Sequence, residues 1–298
     1  MRPSEIAALL GLFAGAGDLA GVEITHLGLL LGGSVMEGLS GTMARDDQGR
    51  GELILRDATG RYALTAHQGA GGLMVRISAS PGALPLLGGV EVGPMELTGF
   101  LGDDGFKGGQ WSLIALGGRL EGSLVLGWSN PVVLTGALTM TSLDAGQVLR
   151  VRHPKARAEG AVAGTLRISA QAESWDALAA HLTLEGPIQL ERGAFKGMDL
   201  GLAVRERGAG PISGGETRFE ALRGRVRVDP QGGSFVVERL EAGALSASGR
   251  LITNAVEELS GSWLATVRVP GRAALSYPMS VTGSVVAPQL HMGGAAGG

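Results

Sequence analysis

The chain has 298 residues, with 25 Lys and Arg against 28 Asp and Glu, for a net charge of −3. That near balance, with no basic stripe, argues against a nucleic-acid footprint, and 44% apolar residues at a mean hydropathy of +0.21 exclude a disordered, charge-rich chain. Cysteine is absent, which excludes a disulfide framework and a thiolate metal site.

Glycine supplies 52 residues, far above the usual share of about 7%, while aromatics make up only 4%. Glycine spread through an apolar chain without a triplet period reads as many short strands and many turns.

Taken in chain order, the run from Ile6 to Gly17 is too short to span a bilayer, which needs about 20 apolar residues. With Glu5 and a single Arg ahead of it, residues 1–20 read as a short helix over Ser4 to Phe13 that caps a sheet, in preference to a signal peptide. Beyond it, alternation of period two dominates. Tyr62, Leu64 and Ala66 share one face of a strand; Leu166 and Ile168 oppose Thr165, Arg167 and Ser169. The pattern returns in His181 to Glu185, Ile188 to Glu191 and Arg225 to Asp229, and Trp263, Ala265, Val267 and Val269 form one late face. Such alternation makes a strand with one greasy and one wet side. Asp46 to Gly49, Gly102 to Gly105 and Asp229 to Gly233 sit between such runs as hairpin turns, so the strands form an antiparallel meander. Short helices are predicted at Leu143 to Arg150, Ser174 to Ala180 with Ser174 as N-cap, and Gly197 to Val204.

The basic stretch Arg150 to Arg157 reads as a junction between two sections, 21–150 and 151–298. It is either a solvated loop or a contact for anionic lipid head groups.

Catalytic equipment is sparse. The five histidines, His26, His67, His153, His181 and His291, lack ligand spacing, so no metal site is expected. Asp46-Asp47 and Asp103-Asp104 read as turns, since neither has the spaced oxygens of a calcium loop. No phosphate-binding P-loop and no G-x-S-x-G elbow occurs, so no catalytic residue and no cofactor is assigned.

The second half carries a series of small motifs. Leu184 to Leu200 contains a strand and then Gly193-Ala194-Phe195-Lys196-Gly197-Met198-Asp199-Leu200; Gly214 to Leu222 follows, then Gly233 to Leu240, Leu245 to Leu251 and the closing Pro278 to Pro288. In this order, over about Ser174 to Leu290, they resemble the C-terminal region of the AsmA-like family, and Ala115 to Ser123 and Leu134 to Leu138 resemble its repeated sheet units. The family usually begins with a membrane-spanning anchor, and this chain shows none.

The resemblance implies an all-β fold, an elongated curved antiparallel β-sheet (a taco-like groove) with a few short helices. It implies a place in the periplasm or cell envelope of a two-membrane bacterium, no enzymatic activity, and a part in outer-membrane lipid transport or biogenesis. The expected partners are phospholipid or another acyl-chain lipid and other envelope proteins, with no nucleic acid. Candidate groove-lining residues are Leu182, Leu184, Ile188, Leu190, Val226, Val228, Trp263, Val267 and Val269; the same side chains would equally pack a closed core. A second reading is an assembly scaffold that pairs by β-augmentation with other envelope proteins. A third, a carbohydrate-active enzyme, finds few aromatic platforms.

Overall fold

A computed structural model describes residues 21–31, 34–45, 47, 50–70, 72–84, 90–206 and 210–293. The helix expected within residues 1–20 lies outside them. The fold is all-β. Among the described residues there are 19 strands, with α-helices only at Ala145–Arg152 (α1), Trp175–Leu178 (α2) and Leu200–Glu206 (α3), and a 3₁₀ turn at Ala179–His181. Two compact units divide the chain: one holds residues up to Ala115, Arg119–Leu138 and Ile168–Leu182, the other Leu116–Gly118, Thr139–Arg167 and the chain from Thr183 onward. The basic stretch at Arg150 lies inside the second unit, leading out of α1.

The first unit is an antiparallel series. It runs β1 (Val22–Leu31), β2 (Ser34–Arg45), β3 (Gly51–Arg56), β4 (Tyr62–Gly69), β5 (Gly72–Ala79), β7 (Val90–Gly102) and β8 (Gly105–Ala115), with the short β6 (Gly82–Leu84) also on β7. The predicted turn at Asp103-Asp104 is a two-residue hairpin, with Gly102 opposite Gly105. The other turn predicted in this region, Asp46 to Gly49, falls largely outside the described residues, although Arg45 and Gly51 pair across it. Alternation delivers one apolar face, as expected. Leu53 pairs with Ala66, Leu55 with Leu64, Ile77 with Leu97 and Leu73 with Leu101. Leu39, Met43, Leu53, Leu55, Ala66 and Leu73 are buried, and Ile24, Leu64, Val75 and Leu101 pack against them half-covered. The other face is wet, with ion pairs such as Arg76–Glu96 at 3.2 Å.

The second unit repeats the scheme with β12 (Thr183–Lys196), β14 (Glu216–Asp229), β15 (Gly232–Ala242), β16 (Leu245–Asn254), β17 (Leu259–Val267), β18 (Leu275–Ser284) and β19 (Ala287–Met292). β14 and β15 meet across Pro230-Gln231, with Asp229 opposite Gly232, as the turn chemistry predicts. Between β12 and β14 the chain makes a strap. Met198 bridges Gly214, and β13 (Ile212–Ser213) pairs with β19, so the strap joins the end of β12 to the last strand of the series. The remaining strands are β9 (Gly118–Gly127), β10 (Val132–Asp144) and β11 (Ala158–Ala172).

The strap is anchored by α3, whose Leu200 and Ala203 are fully buried. Asp199 Oδ1 accepts the Leu202 N–H at 2.8 Å, which starts the helix near the predicted place. The buried Thr217 hydroxyl accepts the Leu200 N–H at 2.9 Å and donates to the Met198 carbonyl at 2.7 Å. Thr217→Val removes both bonds and strands two backbone groups, so it is expected to cost about 1–3 kcal/mol in urea unfolding. Thr217→Ser should retain most of that stability.

The scarce aromatics are laid over glycines of neighbouring strands. A Cβ placed on Gly99 would stand 2.4 Å from the Phe106 ring, one on Gly122 would stand 2.9 Å from Trp111, one on Gly193 2.4 Å from Phe219, and one on Gly224 2.9 Å from Phe235. The missing side chain makes the slot that the ring fills.

Candidate functional site

The candidate surface in the second unit is its apolar face, and strand register decides which side chains share it. Leu184 pairs with Val228, Ile188 with Gly224 and Leu190 with Leu222. Val226 faces Phe235, Phe235 faces Leu251, and Gly249 faces Trp263. The face is unevenly covered. Leu190, Leu222, Val237, Leu240, Ala247, Trp263 and Met279 form a packed core, whereas Leu184, Ile188, Val226, Val228, Phe235 and Leu251 are only half-buried. Along β12 and β14 the greasy side therefore passes from sealed to partly open.

The nine candidate lining residues separate accordingly. Leu184, Ile188, Val226 and Val228 lie together on the partly open section. Leu190 (7% exposed) and Trp263 (2% exposed) are core residues. Val267 is half-buried between Leu245 and Leu275 on neighbouring strands. β17 ends at Val267, so Val269 lies in the following loop and is 41% exposed. Leu182 caps the 3₁₀ turn ahead of β12 and belongs to the first unit. Sequence reasoning missed Phe235 and Leu251. Both stand on alternating runs, but Gly232-Gly233 and Gly249 obscure the phase.

The opposite face carries the ion pairs, interspersed with exposed Val236, Ile252 and Leu264. Arg227 pairs with Glu185 at 3.0 Å and Arg239 with Glu241 at 2.6 Å. At the end of β12, the Lys196 ammonium sits 2.8 Å from Glu159 and also bonds Glu216, whose second oxygen is 2.6 Å from Arg218 Nε. The hydrogen bonds that the Lys196 ammonium donates to Glu159 and Glu216 hold its pKa above the ordinary value. Those from Lys196 and then Arg218 hold the Glu216 carboxyl below the usual carboxylate range. A carboxyl depressed on folding contributes stability above its unfolded pKa, and that contribution is lost as pH falls through the folded value. Lys196→Met should thus flatten the loss of stability as pH falls below the ordinary glutamate value of 4.5. Urea unfolding at stepped pH measures this, and an unchanged slope would refute it.

Histidines are dispersed. His67 Nδ1 lies 3.6 Å from Glu52, His153 Nδ1 3.1 Å from Glu257, and His291 Nε2 2.9 Å from Thr282 Oγ1. Among the described residues no group of three or more His, Cys, Asp or Glu is placed to hold a metal ion, and no helix is long and apolar enough to cross a membrane. Comparison of the chain with the profiles of known protein families, with curated proteins and with solved structures gives no match.

Proposed function

We propose that this is a non-catalytic envelope protein that binds or conducts phospholipid acyl chains along its apolar β-face, in support of outer-membrane lipid transport. The observation that carries this reading is the half-covered section of that face, where Leu184, Ile188, Val226, Val228, Phe235 and Leu251 contribute to one continuous surface. Contiguous apolar surface left partly uncovered marks an interaction site. An acyl chain gains about 0.8 kcal/mol per methylene removed from water and needs no polar ligand to hold it. The resemblance of Leu184 to Pro288 to the AsmA-like C-terminal region supports the same reading and places the protein, by proposal, in the periplasm of a two-membrane bacterium.

Mass spectrometry of lipids extracted from the purified protein tests it. Leu184 and Val228 are direct cross-strand partners, so Leu184→Asp and Val228→Asp are made separately, because two carboxylates face to face would repel and unfold the pair. Near-stoichiometric phospholipid in the parent, depleted in either folded variant, is the expected result. A folded parent that carries no lipid overturns the proposal in favour of a scaffold that pairs through strand edges.

A further inference from the structure

We infer a second site, for a phosphate group, in a cleft of the second unit about 990 Å³ in volume. Besides Lys196, which is already paired, three cations line it: Arg150 in the last turn of α1, and Lys155 and Arg157 in the segment that leads into β11. All three are exposed, and none of them forms an ion pair with any described residue. Of the carboxylates nearby, Asp199 lies behind Gly215 and accepts the Leu202 N–H, and the two nearest the cations, Glu159 on the wall itself and Glu216, are already paired. Glu159 is held by Lys196, and Glu216 by Lys196 and Arg218. The cleft is therefore a concave surface with three unbalanced positive charges, in a protein whose net charge is −3. Clefts lined by one sign of charge focus the field and concentrate the opposite ion.

The rest of the lining specifies the anion. Gly214 and Gly215 stand on the wall at φ of 81° and 73°, and a Cβ on Gly214 would meet nothing within 4 Å, so there the wall is bare backbone that a tetrahedral anion can approach closely. Arginine forks match phosphate oxygens two at a time. The remaining lip is apolar: Val285 and Val286, on the turn between β18 and β19, line the same cleft, with Val286 45% exposed. Cations beside an apolar lip suit a phosphate monoester that carries a greasy substituent. This inference does not rest on the acyl-chain reading, since a phosphate can occupy the cleft whether or not the apolar face holds lipid.

Isothermal titration calorimetry at low salt tests it with three probes: inorganic phosphate, dihexanoyl phosphatidic acid below its micellar concentration, and zwitterionic dihexanoyl phosphatidylcholine. The expected result is saturable binding of the phosphatidic acid that weakens with added salt and falls at least about tenfold in Arg150→Ala/Arg157→Ala. It should persist in Arg272→Ala, an exposed cation outside the cleft. Phosphatidic acid binding more tightly than phosphate assigns the site to a lipid head group; equal affinities assign it to free phosphate. Binding of neither anion, equal binding of the zwitterion, or full binding in the double variant with an unchanged circular-dichroism melt would overturn it.

Discussion

Trp263→Ala should lower the unfolding free energy by about 3–5 kcal/mol, the range for emptying a large aromatic from a packed core. The indole is 2% exposed, stands opposite Met279 at 1% exposure, and meets the Phe195 ring edge-on at 6.3 Å; Phe195 in turn packs on Phe219 at 5.1 Å. One side chain thus joins β17, β18 and β12. Its Nε1–H is buried and has no hydrogen-bond partner among the described residues. That orphaned donor makes Trp263→Phe a sharp companion test. The smaller ring forfeits contacts but removes a buried polar group that costs about 1–3 kcal/mol, so the phenylalanine variant should stay within about 1 kcal/mol of the parent. Chemical denaturation followed by far-UV circular dichroism measures both, and an alanine variant as stable as the parent would refute the core assignment.

The second large effect comes from the other half of the same contact. Gly249 faces Trp263 across β16 and β17. A Cβ there would stand 2.3 Å from the Ser262 carbonyl oxygen, 2.9 Å from Trp263 Cα and 3.0 Å from its Cγ. Backbone cannot yield as a long side chain can, so Gly249→Val should cost about 3 kcal/mol, at the upper end for overpacking. In the Trp263→Ala background the ring contact is gone while the two backbone clashes remain. The double variant should therefore show a coupling of about 1 kcal/mol and no full rescue. Strict additivity would mean that glycine and indole do not share the slot.

These pairs explain why some of the architecture was legible in the sequence and some was not. Alternation over Arg225 to Asp229 located β14 because both faces there have clear chemistry, and Asp-Gly turn residues located the hairpin at Asp103-Asp104. The helix expected at Gly197 to Val204 appears at Leu200–Glu206, displaced because Met198 and Asp199 are drawn into the strap that Thr217 holds. Less visible was a switch of face along β12 and β14. Leu190 and Leu222 are buried in one phase, but beyond them the buried pair is Gly193–Phe219, followed by buried Thr217 opposite half-buried Phe195, in the other phase. Arg192, at φ 49°, stands at the switch, and nothing about an arginine announces a left-handed backbone. The lining residues were legible as apolar but not as covered or open. Trp263 and Val228 look alike in a period-two pattern; only the neighbours that register brings beside them tell them apart.

From β14 to β19 each strand pairs with the one that follows it in the chain, and the turns at Pro230-Gln231, Gly243-Ala244 and Val285-Val286 are two residues long. Such a series has a modular grammar. Duplicating a whole hairpin, β15 with β16 for instance, would insert two strands while the others kept their polarity and greasy side, and the β13–β19 pairing of the strap would have to re-form. Deleting a single strand would reverse the direction of all that follow. A series of this kind therefore lengthens by pairs of strands, which widens the apolar face in fixed increments.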